Sequence, residues 1–299
     1  MKPSPYGPFP YLPITRRPPL RWPNGARIAF WIVPNIEFFS LETRPGGIGP
    51  GKVPDIPTWA VRDYGNRVGV FRMMEVLNRY HIRATVALNS DICEHHPEIV
   101  EEGNKRGWEW MGHNQSNSRR LNEIPAEEEL AVIRATMDTI ERVAGCRPQG
   151  WLGSGLQETW NTLDHLASAG LDYVSDWGPN DDQPYLMRAG ERTLVSVPYS
   201  YAINDKHALE AAHYTTKEFR NIICDQFDTL YRESAQVARL MHIAVHPYLI
   251  GLPYRIGALD GALDHICRHP DVWFATGSEI ASHYRREMAT HDGAWGRNL

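Results

Sequence analysis

Residues 241 to 247 read Met-His-Ile-Ala-Val-His-Pro. The apolar run is typical of a buried strand, and Pro247 ends that strand directly after His246 because proline has no backbone N–H to offer a ladder. A residue at the carboxyl end of a buried strand lies where α/β folds keep their active sites. His242 shares the strand face of His246, because side chains alternate with a period of two, and is expected to be a hydrogen-bonded core residue.

Three further apolar runs end on polar side chains in the same way: 26–34 before Asn35 and Glu37, 108–112 before His113, and 171–175 before Asp176. Parallel strands bring their carboxyl ends to one edge of a sheet or one mouth of a barrel. We therefore predict one polar pocket at the strand ends, and an enzyme.

Strand-like and helix-like patterns alternate from residue 26 to residue 290. The strand-like stretches are 26–33, 84–88, 108–111, 149–152, 171–175, 193–197, 240–245 and 272–274. Short linkers between such units imply parallel strands, since parallel neighbours need a crossover connection. The pattern predicts an α/β fold, a (β/α) barrel with seven or so parallel strands and its active site at the C-terminal strand ends.

The barrel is expected to be a single domain spanning 26–290. Before it, residues 1–25 are rich in proline and are expected to form a non-helical arm, and residues 291–299 a C-terminal tail. Two segments, 40–63 and 177–190, interrupt the pattern and are expected to be loops that shape substrate binding. Residues 66–80 and 216–239 carry helical patterns.

Composition excludes several classes of function. The chain has 299 residues and a net charge of −5, which gives no support for nucleic acid or an anionic membrane as a partner. No apolar run reaches the roughly 20 residues of a membrane span, and the N-terminus lacks the apolar core of a signal peptide, so a cytoplasmic location is expected. The four cysteines are widely spaced and are expected to be free buried thiols: Cys93, Cys146, Cys224 and Cys267.

A set of motifs occurs in order between about residue 21 and residue 286: Trp22-Pro23-Asn24-Gly25-Ala26-Arg27-Ile28-Ala29, Asn35-Ile36-Glu37, Gly112-His113, Arg147-Pro148-Gln149-Gly150-Trp151, Ser175-Asp176-Trp177, Asn180-Asp181-Asp182, Val197-Pro198-Tyr199-Ser200, Asn204-Asp205, and His246 followed by Leu249-Ile250-Gly251. As a set they resemble the polysaccharide deacetylase (NodB-homology) superfamily, and within it the branch of cofactor-independent allantoinases and cyclic imide hydrolases. The resemblance implies a distorted barrel, hydrolysis of an amide or imide C–N bond, and a symmetric homo-oligomer, for which a dimer or tetramer is expected.

The metal motif of that superfamily is altered in this chain. Its deacetylases typically hold one divalent metal with an Asp and a His-x-x-x-His pair, and here His113 stands first but Asn117 replaces the second histidine. The usual Asp-Asp pair after the first strand is Asn35-Ile36-Glu37. A neutral amide is a poor zinc ligand. We expect that no cofactor is required; the alternative is one zinc ion held by Glu37 and His113 with water.

Hydrolysis of a cyclic amide needs a base for water, a stabilised oxyanion and an acid for the leaving nitrogen. Glu37 is the expected base and His246 the expected acid, while His113 positions the water or polarises the carbonyl. The expected substrate contacts are Asn35, Asn117, Trp151, Asp176, Trp177 and Asp182, with amides for the polar ring edge and indoles as flat walls.

Structural explanations compete with these roles. Residues 112–117 could be a plain turn of small polar residues, and Asp181 and Asp182 could simply be solvated. Three functions remain open: a hydrolase of small cyclic imides, ureides or amides; a metal-dependent deacetylase of N-acetylated sugars; and a barrel that binds a small molecule without catalysis.

Overall fold

The computed structural model describes residues 6–41, 53–178 and 180–290. Within them one sheet contains nine strands: β1 (Ile28–Ile36), β2 (Thr85–Leu88), β3 (Glu109–Gly112), β4 (Gly150–Trp151), β5 (Tyr173–Val174), β6 (Tyr185–Ala189), β7 (Arg192–Ser196), β8 (Arg239–Val245) and β9 (Val272–Phe274). Their order is β6-β7-β5-β4-β3-β2-β1-β8, with β9 also paired to β1. Neighbours are parallel except β6 and β7. The sheet curls into an incomplete barrel, which confirms the predicted fold class.

Strand β1 is the centre of this sheet. Its nine residues are all buried, and it pairs along seven positions with β8, where Trp31 lies opposite His242. On its other side β9 pairs with residues 28–30 and β2 with residues 35–36. A strand covered on both faces needs apolar residues at nearly every position, which explains why 28–34 is a continuous apolar run.

Nine α-helices occur in the described residues: α1 (Ile56–Tyr64), α2 (Val70–Arg79), α3 (Ser90–His95), α4 (Pro97–Lys105), α5 (Glu129–Ala144), α6 (Thr162–Ser168), α7 (Thr216–Glu233), α8 (Ile256–Cys267) and α9 (Gly277–Thr290). The alternation along β1 separates two cores. Ile28, Phe30 and Ile32 belong to an outer core shared with helices such as α2, α7 and α8, while Ala29, Trp31 and Val33 belong to an inner core closed by α9. Odd positions of β1 therefore point to the barrel interior.

The two segments expected to be loops each contain a regular element. Helix α1 lies in the first; the Asp55 side chain accepts a hydrogen bond from Thr58 N (3.2 Å), and Pro57 occupies a first-turn position that tolerates proline. Residues 42–52 of this segment lie outside the described part. The second segment contains β6, in which the alternate residues Tyr185, Met187 and Ala189 are buried and which pairs with β7 as a hairpin. Both segments were expected to lack such structure.

The long helical pattern ends earlier than the sequence predicts. Helix α7 begins at a capping box of Thr215 and Glu218 and stops at Glu233, whereas the pattern continues to residue 239. Arg239 already belongs to β8, and its N–H donates to Arg27 O at 3.0 Å. The pairing of β8 with β1 outweighs local helix propensity over the last six residues.

The described part of the N-terminal arm packs against the β6–β7 side of the sheet. Arg188 N donates to Pro8 O (3.2 Å), Phe9 lies against the Tyr185 ring (4.8 Å between centroids), and Arg17 forms a bidentate ion pair with Asp181 (2.6 and 2.8 Å). Residues 1–5 of the arm and the 291–299 tail lie outside the described residues. The four cysteines are free, as predicted, although Cys146 is exposed. None of the described helices has the length and apolar character that a membrane span requires.

Candidate active site

Glu37 reaches the barrel interior because it continues the inward-facing series of β1. Trp31, Val33 and Asn35 precede it at intervals of two residues, and its side chain is only 6% exposed. His113 follows β3 and His246 follows β8, so parallel strands bring both to the same mouth. The Nε2 atoms of the two histidines each lie 3.7 Å from Glu37 Oε1. The three side chains predicted to be catalytic thus meet at one point.

His246 is held by Asp205, a residue to which the sequence analysis gave no role. Asp205 is fully buried, and its carboxylate accepts hydrogen bonds from His246 Nδ1 (2.7 Å), His246 N (2.8 Å) and Ile250 N (3.2 Å). With the Nδ1 proton donated to Asp205, Nε2 of His246 is the atom that exchanges protons in the cavity. The motif Asn204-Asp205 was a signal; the carboxylate's partner was not readable from spacing, because 41 residues separate the two side chains.

His113 is oriented in a similar way by the backbone. Its Nδ1 lies 2.6 Å from Leu152 O, which can only accept, so Nδ1 carries a proton. Nε2 then faces Glu37 and has no hydrogen-bond partner among the described residues. This nitrogen is available to a water molecule or a substrate.

Asn117 stands beside Glu37 with its amide nitrogen turned toward the carboxylate. Its Nδ2 donates to Glu37 Oε1, and its Oδ1 accepts from Ser154 Oγ (2.6 Å) and Asn89 Nδ2 (3.1 Å). The second oxygen of Glu37, Oε2, is buried and has no hydrogen-bond partner in the described structure. The amide therefore orients one carboxylate oxygen and leaves the other free.

The Glu37 carboxyl group is strongly acidic in this setting. Burial by itself would raise its pKa, but the nearby His113 imidazole and the charges of His246 and Lys206 lower the pKa to about 2. Glu37 is consequently ionised throughout the neutral range.

The donor set fits a divalent metal poorly. Asn117 directs an N–H donor, not its oxygen, at the carboxylate that would have to bind the ion. Over the described ranges, one group of three His, Cys, Asp or Glu residues has its donor atoms within 4.8 Å of one another, and it is Asp228, His265 and His269, away from this cluster. Glu37 and His113 remain a two-residue set, fewer than the three protein ligands of typical catalytic zinc sites.

A cavity of about 820 Å³ opens onto the cluster. Its lining includes Asn35, Glu37, His113, Asn117 and His246. Two further lining residues, Tyr199 and Asn204, belong to motifs quoted above without a predicted role, and the others include Phe39, Arg62, Arg120, Leu152, Tyr201, Lys206 and His207. Asn35 donates to Tyr199 Oη (3.0 Å) and to Val245 O (3.3 Å), which ties β1 to β8 at the cavity floor. Helix α1 contributes part of the wall, so the segment 40–63 does shape the cavity.

The two tryptophans expected to stack on substrate do not line this cavity. Trp151 has the outward parity of β4; it packs in a separate outer cluster, and its ring lies against Gly112, while the next residue, Leu152, faces inward. Trp177 donates through Nε1 to Glu158 (2.8 Å) and contacts Phe9 of the arm. The prediction that Trp151 and Trp177 stack on the substrate is therefore wrong, and both side chains contribute to packing instead.

The two predicted acidic contacts also lie outside the cavity lining. Asp176 lies two residues after Val174, whose side chain packs outside the barrel, and it is likewise directed away from the barrel interior. Its oxygens accept from Gly153 N (2.9 Å each), so it stabilises the cavity wall from the side that faces away from the cavity. Burial raises the pKa of Asp176 to about 6. Asp182 accepts at its backbone oxygen from Leu240 N (2.7 Å), in the region held by Arg17 and Asp181. His242 is buried nearby and hydrogen-bonded to Asp181 O (3.3 Å), as expected for a core histidine.

Comparison with known proteins supports the resemblance seen in the motifs. The family model for polysaccharide deacetylase matches residues 55–174. A Schizosaccharomyces pombe (strain 972 / ATCC 24843) protein named "Putative polysaccharide deacetylase" is 25% identical over 293 residues, covering 87% of this chain and 91% of that protein.

Two solved structures superpose over nearly the whole chain. The crystal structure of a probable polysaccharide deacetylase from Pseudomonas aeruginosa PAO1 has a TM-score of 0.82 at 26% identity and covers 91% of this chain and 95% of its own. The crystal structure of Puue allantoinase has a TM-score of 0.83 at 23% identity and covers 94% of this chain and 96% of its own, so it shares the fold. These matches confirm the resemblance to polysaccharide deacetylases that the motifs predicted, and they support hydrolysis of a C–N bond as the class of reaction.

Proposed function

We propose that the protein opens a small cyclic imide, ureide or related amide by adding water, and that it needs no metal. The orientation of Asn117 carries this proposal. At the position of the superfamily's second histidine it presents a donor to Glu37, and its own oxygen is already engaged by Ser154 and Asn89. Asn117 therefore hydrogen-bonds to the charged carboxylate of Glu37 from the position at which metal-dependent deacetylases of the superfamily have a metal-binding histidine.

In the proposed reaction Glu37 binds water through Oε2, the carboxylate oxygen that has no hydrogen-bond partner among the described residues. The water oxygen attacks the ring carbonyl carbon, and its proton passes to Glu37 as the C–O bond forms. His246, protonated on Nε2, gives its proton to the ring nitrogen as the C–N bond breaks. His113 donates or accepts at the carbonyl edge, and Asp205 stabilises the charged form of His246.

The low pKa of Glu37 belongs to the state in which an imidazolium faces it. A carboxylate of such low pKa is a weak base on its own. When His246 releases its proton to the leaving nitrogen, one of the charges that lowers the pKa of Glu37 disappears, so the carboxyl group becomes more basic as the reaction proceeds. The two proton transfers therefore favour each other.

The deciding experiment is turnover by chelator-treated protein of succinimide, hydantoin, dihydrouracil, allantoin and N-acetylglucosamine oligomers, with and without added zinc. Ring opening that survives chelation is the expected result. Activity that vanishes on chelation and returns with zinc would contradict the metal-free proposal, and consumption of the sugars would favour the deacetylase function that relatives carry in their names.

The variant Asn117→His is the matched comparison for this panel. It restores the histidine spacing of the metal-dependent members, so it is expected to bind zinc and to lose ring-opening activity because Glu37 loses its amide donor. Binding of a ring compound without product, in the wild type, would favour the non-catalytic alternative.

A cytoplasmic location remains a prediction.

A further inference from the structure

Arg62 is a buried cation in the cavity wall with no counter-ion among the residues that the structure describes. It lies on α1, is only 6% exposed and lines the cavity. Its guanidinium lies over the rings of Phe39 (4.6 Å) and Tyr248 (5.3 Å), and NH1 donates to Thr58 O at 3.3 Å. Nε has no hydrogen-bond partner, and no carboxylate of the described residues comes within 4.0 Å of this side chain.

The two rings hold this guanidinium close to the proposed acid. Tyr248 packs edge-on against the His246 ring, with 5.5 Å between centroids, so a single aromatic ring separates Arg62 from His246. Cation–π contact compensates only part of the cost of burying a charge. An anion bound at this position would supply the missing charge and hydrogen bonds.

The other cations of the cavity lining differ in whether they are neutralised. Lys206 is paired with Glu210 at 2.8 Å. Arg120, whose guanidinium lies near Gly155, lines the cavity and has no carboxylate partner among the described residues. Glu37 is already faced by two imidazoles. The balance of unpaired charge in the cavity is therefore positive, which suits an anionic ligand better than a neutral sugar.

We propose that the substrate carries a carboxylate beside its ring, bound by Arg62 with Arg120 as a second cation. This inference rests on the proposed function and narrows it to cyclic amides or ureides with a carboxylate substituent. The planar guanidinium, which contacts both rings, can offer two parallel N–H donors to such a group. Neutral rings of the same size lack this contact.

The test uses matched pairs of rings: hydantoin with hydantoin-5-acetate, and dihydrouracil with its 6-carboxylate. Turnover and calorimetric binding are measured for the wild type, Arg62→Gln, Arg62→Lys and Arg67→Gln. Arg67 is the matched control, because it follows α1 directly, is 66% exposed and pairs with Asp63 outside the cavity lining. Circular dichroism checks that each variant is folded.

For the wild type, we expect the carboxylated ring to have a KM or Kd at least roughly tenfold lower than its neutral partner. Arg62→Gln should remove that preference, Arg62→Lys should restore part of it, and Arg67→Gln should leave it unchanged. Equal binding of both rings, or an equal loss for both in Arg62→Gln, would overturn the anion site. Preferred binding of the carboxylate without turnover of any ring would instead support the site and refute the proposed reaction.

Discussion

At the scale of single residues, the site depends on which atom of each side chain is already engaged. Asp205 and the Leu152 carbonyl each take one nitrogen of a histidine, so the other nitrogen faces Glu37. Asn117 takes one oxygen of Glu37 and leaves the other. The polar groups therefore have defined orientations before substrate arrives, which lowers the cost of reaching the transition state.

The role of Asp205 predicts a large effect from a nearly isosteric change. Asp205→Asn retains one oxygen for the backbone N–H groups of His246 and Ile250, which both donate to Asp205 Oδ2, but it loses the charge that stabilises protonated His246 and replaces the other oxygen by an NH2 group. We expect kcat to fall about a hundredfold or more, and the pH profile of kcat to shift to lower pH, because the imidazolium is less stable. A profile of unchanged shape, with His246→Ala as the inactive reference, would show that Asp205 is only structural.

Glu37 predicts a pH dependence of stability. Its pKa is lowered from 4.5 to about 2 on folding, so its ionised form contributes stability above pH 4.5, and this contribution is lost as the pH falls toward 2. The shift corresponds to at most about 3 kcal/mol. Urea unfolding measures the free energy of unfolding of the wild type and of Glu37→Gln. The difference between these two free energies should shrink by up to that amount between pH 6 and the lowest pH at which both proteins fold. A pH-independent difference would contradict the lowered pKa.

At the scale of elements, the position of His246 depends on a close contact between two turns. Residues 65–69 form a π-helical turn before α2, and Gly69 lies against the Pro247 carbonyl and Gly251 in the turn after β8. A Cβ atom at Gly69 would overlap the Pro247 backbone. The absence of a side chain here lets α2 approach the strand end that carries the histidine.

Gly69→Ala is accordingly expected to destabilise the protein by about 1–3 kcal/mol and to reduce kcat/KM, because the turn after His246 must move. The control is Gly257→Ala on α8, where a Cβ has nothing within 4 Å and where alanine favours the helix, so stability should stay equal or rise by up to about 1 kcal/mol. Thermal unfolding and steady-state kinetics measure both. Equal behaviour of the two variants would refute the contact's importance.

Most strands and helices could be predicted from periodicity, because buried parallel strands and amphipathic helices have distinct patterns. The exceptions were elements that depend on neighbours. Strand β6 is a short edge strand that exists through its pairing with β7, and α7 ends early because β8 pairs with β1. Local sequence does not contain those pairings.

At the scale of the whole molecule, the expected homo-oligomer remains a prediction. Several aromatic side chains are exposed on the described surface, including Tyr11 (70%), Tyr254 (69%) and Trp160 (61%). Aromatic residues are enriched at interfaces, so we expect a dimer or tetramer by light scattering at micromolar concentration. A mass of 34.1 kDa at every concentration would indicate a monomer and contradict this expectation.

The amino-acid pattern alone predicts the fold class, the superfamily resemblance and the three side chains at the strand ends, because Glu37, His113 and His246 each follow an apolar run that is typical of a buried strand. Tertiary structure decided what surrounds them. It assigned Asp205 to His246, turned the amide of Asn117 toward Glu37, brought Arg62 into the wall and directed Trp151 and Asp176 away. The face of a short strand to which a side chain points depends on strand register, and contacts between residues far apart in sequence depend on packing. Only the folded chain defines both.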